Sequence, residues 1–140
     1  MNDTTGPRAI AAPRVTAMTG LVLAVGVLVQ GLLAGGFLGG DHRWYACHEA
    51  LGIALVLPPV VSLVAALVLL RRQPEARSAL ATRVFLLALV ITVIVTGHAG
   101  RSLLAVHIPA AIAVAGIAVR QAAGFVRVPN LAPRRSRERV

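Results

Sequence analysis

Four long apolar runs without Asp, Glu, Lys or Arg constrain the fold of this chain more than any other feature. The runs cover residues 15–40, 50–70, 84–100 and 102–119. A helix that spans a membrane needs about 20 mostly apolar residues, with about 17 as the lower limit. None of the runs alternates polar and apolar residues as a half-buried strand does, and an open sheet in lipid would leave unpaired backbone groups. The sequence therefore predicts an all-α fold, an integral membrane four-helix antiparallel bundle.

The composition excludes other classes of protein. Hydrophobic residues make up 57% of the chain and charged residues only 14%. An average globular domain carries about 25% charged residues, so this chain cannot cover a compact globule with a soluble surface. The formal net charge of +9 would suit a nucleic-acid binder, but the charge is confined to short stretches between the apolar runs. We therefore expect the lipid bilayer as a partner and no nucleic acid.

The bundle is expected over residues 15–124, between an N-terminal tail at 1–14 and a basic C-terminal tail at 125–140. Its helices should extend slightly beyond the apolar runs. Their predicted bounds are about 15–40, 47–70, 80–99 and 102–123. The first run is longer than the apolar core of a signal peptide, which has about 7–15 residues. It is therefore predicted to be a retained helix.

The distribution of arginine predicts the orientation of the bundle. All 14 basic residues are arginine, and 12 of them lie before the first run, in the link between the second and third runs, or after the fourth run. The other two, Arg43 and Arg101, lie in the loops on the opposite side. Because cytoplasmic segments are enriched in basic residues, both termini are expected in the cytoplasm. The basic C-terminal tail is then expected to be attracted to anionic lipid headgroups.

Three histidines interrupt the apolar pattern at similar depth. Polar side chains inside a membrane are costly, so each one requires a reason. His48 lies at the start of the second helix, His98 at the end of the third and His107 in the first turns of the fourth. With a rise of about 1.5 Å per residue, His48 and His107 fall within roughly 5–10 Å of the outer interface. Two imidazoles at this depth can ligate haem iron or form hydrogen bonds between helices.

A faint internal repeat relates two of these histidines. The segment Val-Gln-Gly with Ala-Gly at 29–35 corresponds to Val-Thr-Gly with Ala-Gly at 95–100. Each is followed by a short outer turn and then by a helix that begins near a histidine, His48 or His107. The repeat predicts that the second and fourth helices are pseudo-symmetric and that each contributes one ligand. Gln30 itself is expected to form a packing hydrogen bond.

Small residues add to this pattern. Gly31, Gly35 and Gly39 recur at a spacing of four, which puts them on one helix face and allows close packing or an oligomer contact. Gly52 lies one turn from His48 and would leave room for a flat macrocycle. Close packing between helices, without any cofactor, explains the same small residues equally well.

The arrangement of residues 30–36, then His48, then His107 after a glycine-rich turn resembles one half of the haem A synthase family. Proteins of that family are two fused four-helix bundles with a histidine pair on the second and fourth helices of each half. The resemblance covers roughly residues 28–116 and implies a b-type haem with His48 and His107 as axial ligands. The chain is also similar to small uncharacterised bacterial four-helix membrane proteins, which implies the cytoplasmic membrane of a bacterium.

Two features depart from the haem A synthase pattern. The family has a cysteine pair in an outer loop, whereas Cys47 is the single cysteine of this chain. The glutamate that precedes the histidine in the family follows it here, as Glu49. A single haem-binding bundle that resembles b-type cytochromes therefore fits the residues better than haem A synthesis.

The residues leave two classes of function open. The first is a protein that binds haem b through His48 and His107, with Arg43 and Arg101 beside the propionates and His98 as a further contact. It would carry electrons between quinone and an outer redox partner. The second is a cofactor-free structural or accessory subunit whose histidines are hydrogen-bonded. A small transporter component is a third class, although no charged residue lies at the membrane midplane.

We expect a fusion of alkaline phosphatase after Val140 to be inactive and a fusion of green fluorescent protein there to be fluorescent. The reason is that 12 of the 14 arginines lie in segments assigned to the cytoplasm. Active phosphatase together with dark fluorescent protein would contradict the orientation.

Overall fold

The computed structural model describes residues 7–71, 77–99 and 101–126, and these residues form five α-helices and one 3₁₀ turn. The helices are α1 (Pro7–Leu38), α2 (Arg43–Ala54), α3 (Leu57–Leu70), α4 (Arg77–His98) and α5 (Leu104–Val126), with the 3₁₀ turn at Arg101–Leu103. Helices α2 and α3 follow each other directly and together form one span. The predicted all-α four-helix fold is thus confirmed.

Four segments of the described chain are long and apolar enough to cross a membrane. They are Arg14–Leu38, Arg43–Leu70, Arg77–His98 and Leu104–Gly124. Many of their large apolar side chains are exposed, as expected where lipid rather than water is the surrounding solvent. This supports the prediction of an integral membrane protein. We call the end at which α1 begins and α5 ends the tail end, and the opposite end the histidine end.

Helix α1 begins earlier than the sequence predicts. It starts at Pro7, so residues 7–14 of the predicted N-terminal tail are helical. Proline is well tolerated in the first turn of a helix, where its missing N–H would have no partner. The alanines that follow favour helix.

Two adjacent prolines divide the second span into α2 and α3. A proline inside a helix lacks an N–H donor and clashes with the carbonyl four residues earlier. Helix α2 therefore ends at Ala54, and α3 begins at Leu57 with Pro58 and Pro59 in its first turn. By contrast, α5 continues through Pro109.

The helices surround one narrow core. Helix α1 packs against α2, α3 and α5, and α4 packs against α3 and α5. The second and fourth spans are therefore diagonal neighbours, while α1 lies between them on one side and α4 on the other. The buried residues of this core are Leu23, Leu55, Leu86, Val90, Val114 and Ala118.

Two glycines of α1 permit close packing, but they are not the glycines of the predicted stripe. A Cβ atom at Gly20 would lie 2.9 Å from the backbone nitrogen of Ala122, and one at Gly26 would overlap the side chain of Leu55. Within the described residues, by contrast, no atom lies within 4 Å of a Cβ built at Gly31 or Gly35. The stripe therefore faces outward from the bundle.

We expect Gly20→Ala to lower the melting temperature of the protein in detergent. The added methyl group would press on the backbone of α5, and overpacking of this kind costs about 1–3 kcal/mol. The control is Gly116→Ala, because a Cβ there meets open space and alanine is the better helix former. Equal melting temperatures for the two variants would contradict the close approach of α1 and α5.

Candidate functional site

His48 is held against α1 by a reciprocal pair of hydrogen bonds. Its Nδ1 lies 3.2 Å from the backbone oxygen of Gln30, and the Gln30 side-chain Nε2 donates to the backbone oxygen of His48 at 2.8 Å. A carbonyl oxygen only accepts, so His48 Nδ1 must carry the proton. The ring of Phe37 packs edge-on against the imidazole, with 5.4 Å between ring centroids.

His107 is held against α4 in a similar way. Its Nδ1 donates to the backbone oxygen of Val93 at 2.8 Å, and the hydroxyl of Thr96 lies 3.4 Å from the same nitrogen. A Cβ at Gly97 would lie only 3.1 Å from Cε1 of the imidazole. Gly97 therefore leaves space for the imidazole between the two helices.

The two halves of the faint repeat make similar but not equivalent contacts, because Nδ1 bonds to the carbonyl of Gln30 in one half and to that of Val93, three residues before Thr96, in the other. Gln30 and Thr96 occupy corresponding positions of the repeat, and each contacts the histidine of the following span. In both halves Nδ1 is bonded to a backbone carbonyl, and Nε2 has no hydrogen-bond partner among the described residues. In the neutral form of the ring, this arrangement leaves the lone pair on Nε2, as a metal ligand requires.

The two histidines lie on spans that are not tightly packed against each other. Near the histidine end α2 approaches α1 closely but makes few close approaches to α4 or α5. Both imidazoles lie at the histidine end of the bundle, and each is bonded to the span that precedes its own.

His98 is placed differently from the other two histidines. Its Nδ1 lies 2.8 Å from the backbone oxygen of Ile94, and its Nε2 lies 3.1 Å from Oε1 of Glu49. Both ring nitrogens therefore face acceptors, and the ring satisfies both as an imidazolium paired with the carboxylate. The pair links α2 to α4 at the histidine end. In this arrangement neither nitrogen of His98 is open to a metal.

Asp41 organises the loop before α2, and the sequence analysis missed it. Its carboxylate accepts hydrogen bonds from Arg43 Nε at 3.1 Å, from Arg43 Nη2 at 3.3 Å and from Trp44 Nε1 at 3.1 Å. The bonds from the Arg43 side chain and backbone, and then the one from Trp44, lower the pKa of this exposed carboxyl. An aspartate just before a predicted helix is a start signal that could have revealed this role.

Several predicted site residues have other surroundings than expected. Arg43 is paired with Asp41, and its side chain is 91% exposed. The side chain of Arg101 lies outside the part of the chain that the structure describes. Gly52 leaves space for Gln30, because a Cβ there would lie 2.9 Å from Gln30 Nε2. The interhelical hydrogen bond predicted for Gln30 is present.

Among the described residues, no group of three or more His, Cys, Asp and Glu could hold a metal ion. Two apolar grooves run along the outside of the bundle beside Val22, Leu51 and Leu55, and neither contains a histidine.

Comparisons of the chain with protein-family models, with curated proteins and with solved structures gave no match. The fold and the site therefore define a class only, namely a four-helix membrane bundle with two oriented imidazoles at one end. The resemblance to one half of haem A synthase depends on the sequence features alone.

We expect the fluorescence of Trp44, the single tryptophan, to change on acidification with a midpoint below the usual aspartate value of about 3.9. The lowered pKa keeps Asp41 ionised and its hydrogen bonds formed above that midpoint, and they are lost as the pH falls through it. A titration of emission in detergent measures this. The change should be absent in Asp41→Asn, and an equal transition in that variant would contradict the assignment.

Proposed function

We propose that the protein binds a b-type haem near the histidine end of the bundle, with His48 and His107 as its axial ligands. One observation carries this proposal. Each imidazole donates from Nδ1 to a backbone carbonyl of the preceding span, and Nε2 of each has no partner among the described residues. Metal-bound histidines commonly use their second nitrogen in this way, which fixes the tautomer and the ring orientation.

The surrounding residues have distinct tasks in this proposal. The backbone oxygens of Gln30 and Val93 orient the imidazoles and increase their basicity as ligands. Phe37 packs against the ring of His48, and the absence of a side chain at Gly97 leaves space for the ring of His107. The haem, when bound, would supply one-electron redox chemistry whose potential depends on the axial ligands and on burial.

The polar residues at the rim would set the electrostatics of the site. Arg43 is proposed to bind a haem propionate. To do so it would give up part of its ion pair with Asp41. Arg101 is proposed for the same role from its position in the sequence, next to α5. His98 is proposed as a neighbour that acts through its ion pair with Glu49.

We further propose an orientation and a partner class. The excess of arginine in the tails supports a bacterial cytoplasmic membrane with both termini in the cytoplasm. The histidine end would then lie at the outer face. A haem at this depth could exchange electrons with quinone in the lipid and with a redox partner outside.

The second candidate function is that of a cofactor-free accessory subunit. The same Nδ1 bonds join α1 to α2 and α4 to α5, so they have a structural role without any cofactor. The outward-facing glycines Gly31 and Gly35 favour this candidate, because they offer a flat surface to the helix of another subunit.

The absorption spectrum of the protein, purified in detergent from haem-replete cells, separates the two functions. We expect a Soret band with sharp α and β bands on reduction for the wild type. His48→Ala and His107→Ala should retain at least about tenfold less haem, because even changes to residues behind a ligand cost 10–100-fold.

Two matched histidine variants complete this test. His42→Ala should keep the wild-type spectrum, because His42 is exposed in the loop. His98→Ala should keep it too, since both nitrogens of His98 are already bonded. A colourless wild type would contradict haem binding and favour the accessory role. Loss of haem in His98→Ala with retention in His48→Ala would make His98 and His107 the ligands.

A further inference from the structure

Arg83 is a half-buried cation at the tail end of the bundle. Its Nη1 donates to the backbone oxygen of Ala79 at 2.6 Å, and its Nη2 donates to Oγ1 of Thr16 on α1 at 3.0 Å. Its Nε is buried and has no hydrogen-bond partner among the described residues. No carboxylate in the described part of the chain forms an ion pair with Arg83.

A second unpaired donor lies on the same face of α1. The side-chain Nε2 of Gln121 on α5 is buried and has no partner among the described residues. Gln121 packs on Gly20, where a Cβ would lie 2.6 Å from the Gln121 Cβ. Thr16 and Gly20 are one helical turn apart, which corresponds to about 5–6 Å. Arg83 and Gln121 therefore contact α1 about one helical turn apart, and we call Arg83, Thr16 and Gln121 the Arg83 cluster.

Among the described residues, the charges around the Arg83 cluster are of one sign. The exposed arginines described at this end are Arg14, Arg71, Arg77 and Arg120. The acidic residues that the structure describes, Asp41 and Glu49, both lie at the histidine end. Buried donors without acceptors are costly, and a buried cation without a counterion is more so. An anion with several acceptor oxygens would satisfy both the charge and the donors.

The depth of Arg83 favours a lipid as the source of that anion. Arg83 lies six residues into α4, about 9 Å along the helix axis from its start. From this depth the long side chain of an arginine can reach the headgroup region, where lipid phosphates lie. Basic pockets between membrane helices are known to bind anionic headgroups.

We propose that the Arg83 cluster binds the phosphate of an anionic lipid headgroup such as that of phosphatidylglycerol. The guanidinium supplies the charge and the Nε donor, Gln121 supplies a second donor, and Thr16 keeps the guanidinium in place. This site is at the opposite end from the histidines and does not depend on haem binding.

The test is native mass spectrometry of the full chain in an uncharged detergent, titrated with phosphatidylglycerol, phosphatidylcholine or inorganic phosphate. The wild type should bind one phosphatidylglycerol at least about tenfold more tightly than phosphatidylcholine. Arg83→Gln should lose this preference, because charge-assisted bonds to phosphate are worth about ten- to a hundredfold in affinity. Arg77→Gln removes an exposed arginine from the same end and should keep it.

The other possible outcomes of this titration also test the proposed lipid site. Equal weakening in Arg77→Gln and Arg83→Gln would indicate general charge attraction and overturn the site. Competition by inorganic phosphate that depends on Arg83 would assign the site to a soluble anion and overturn the lipid. If Arg83→Gln does not fold, Arg83→Lys and Gln121→Leu replace it. Arg83→Lys loses the Nε donor and the planar fork of the guanidinium, and Gln121→Leu loses the amide donors. Each should weaken phosphatidylglycerol binding several-fold, and wild-type binding by both would overturn the proposal.

Discussion

An imidazole inside lipid has no water to bond with, so it needs a hydrogen-bond partner within the protein. In each half of this bundle that partner is a backbone carbonyl of the preceding span. A helical carbonyl has two lone pairs and can accept this bond in addition to its helical one. His48 uses the carbonyl of Gln30, and His107 uses the carbonyl of Val93. The two bonds join each histidine-bearing helix to the span before it. They also leave Nε2 of both rings without a partner in the described residues, and the proposed haem site depends on that.

Among the described residues, the two ends of the bundle differ in how their charges are paired. At the histidine end cations are paired with carboxylates, Arg43 with Asp41 and His98 with Glu49. These pairs are exposed, so solvent screens them and they position loops more than they stabilise the fold. At the tail end the described arginines have no carboxylate partner, and one of them, Arg83, is half-buried. The difference supports both the proposed orientation and the proposed anionic lipid.

The sequence predicted those features that depend on composition along the chain. Four apolar runs were sufficient for four spans, since only helices satisfy the backbone in lipid without a closed barrel. The break in the second span follows from the chemistry of Pro58 and Pro59 in the first turn of α3. The placement of His48 and His107 at the same end of the bundle followed from their positions at the starts of the second and fourth spans.

The features that depend on how the helices face each other could not be predicted. A glycine spacing of four identifies a face but not its neighbour, and the close contacts are at Gly20 and Gly26 instead of Gly31 and Gly35. The partner of His98 is Glu49, which is distant in sequence and is brought near only by tertiary packing. Haem ligation itself stays a prediction, because neither the helix pattern nor the hydrogen bonds require a cofactor.

The most direct measurement of the central claim is ¹⁵N NMR of haem-free protein labelled at histidine, with each signal assigned by its loss in a single variant. The account predicts that His48 and His107 are both neutral, with a protonated Nδ1 and an unprotonated Nε2. A proton on Nε2 of either residue, with Nδ1 unprotonated, would contradict it, because a bare Nδ1 cannot donate to the carbonyl of Gln30 or Val93.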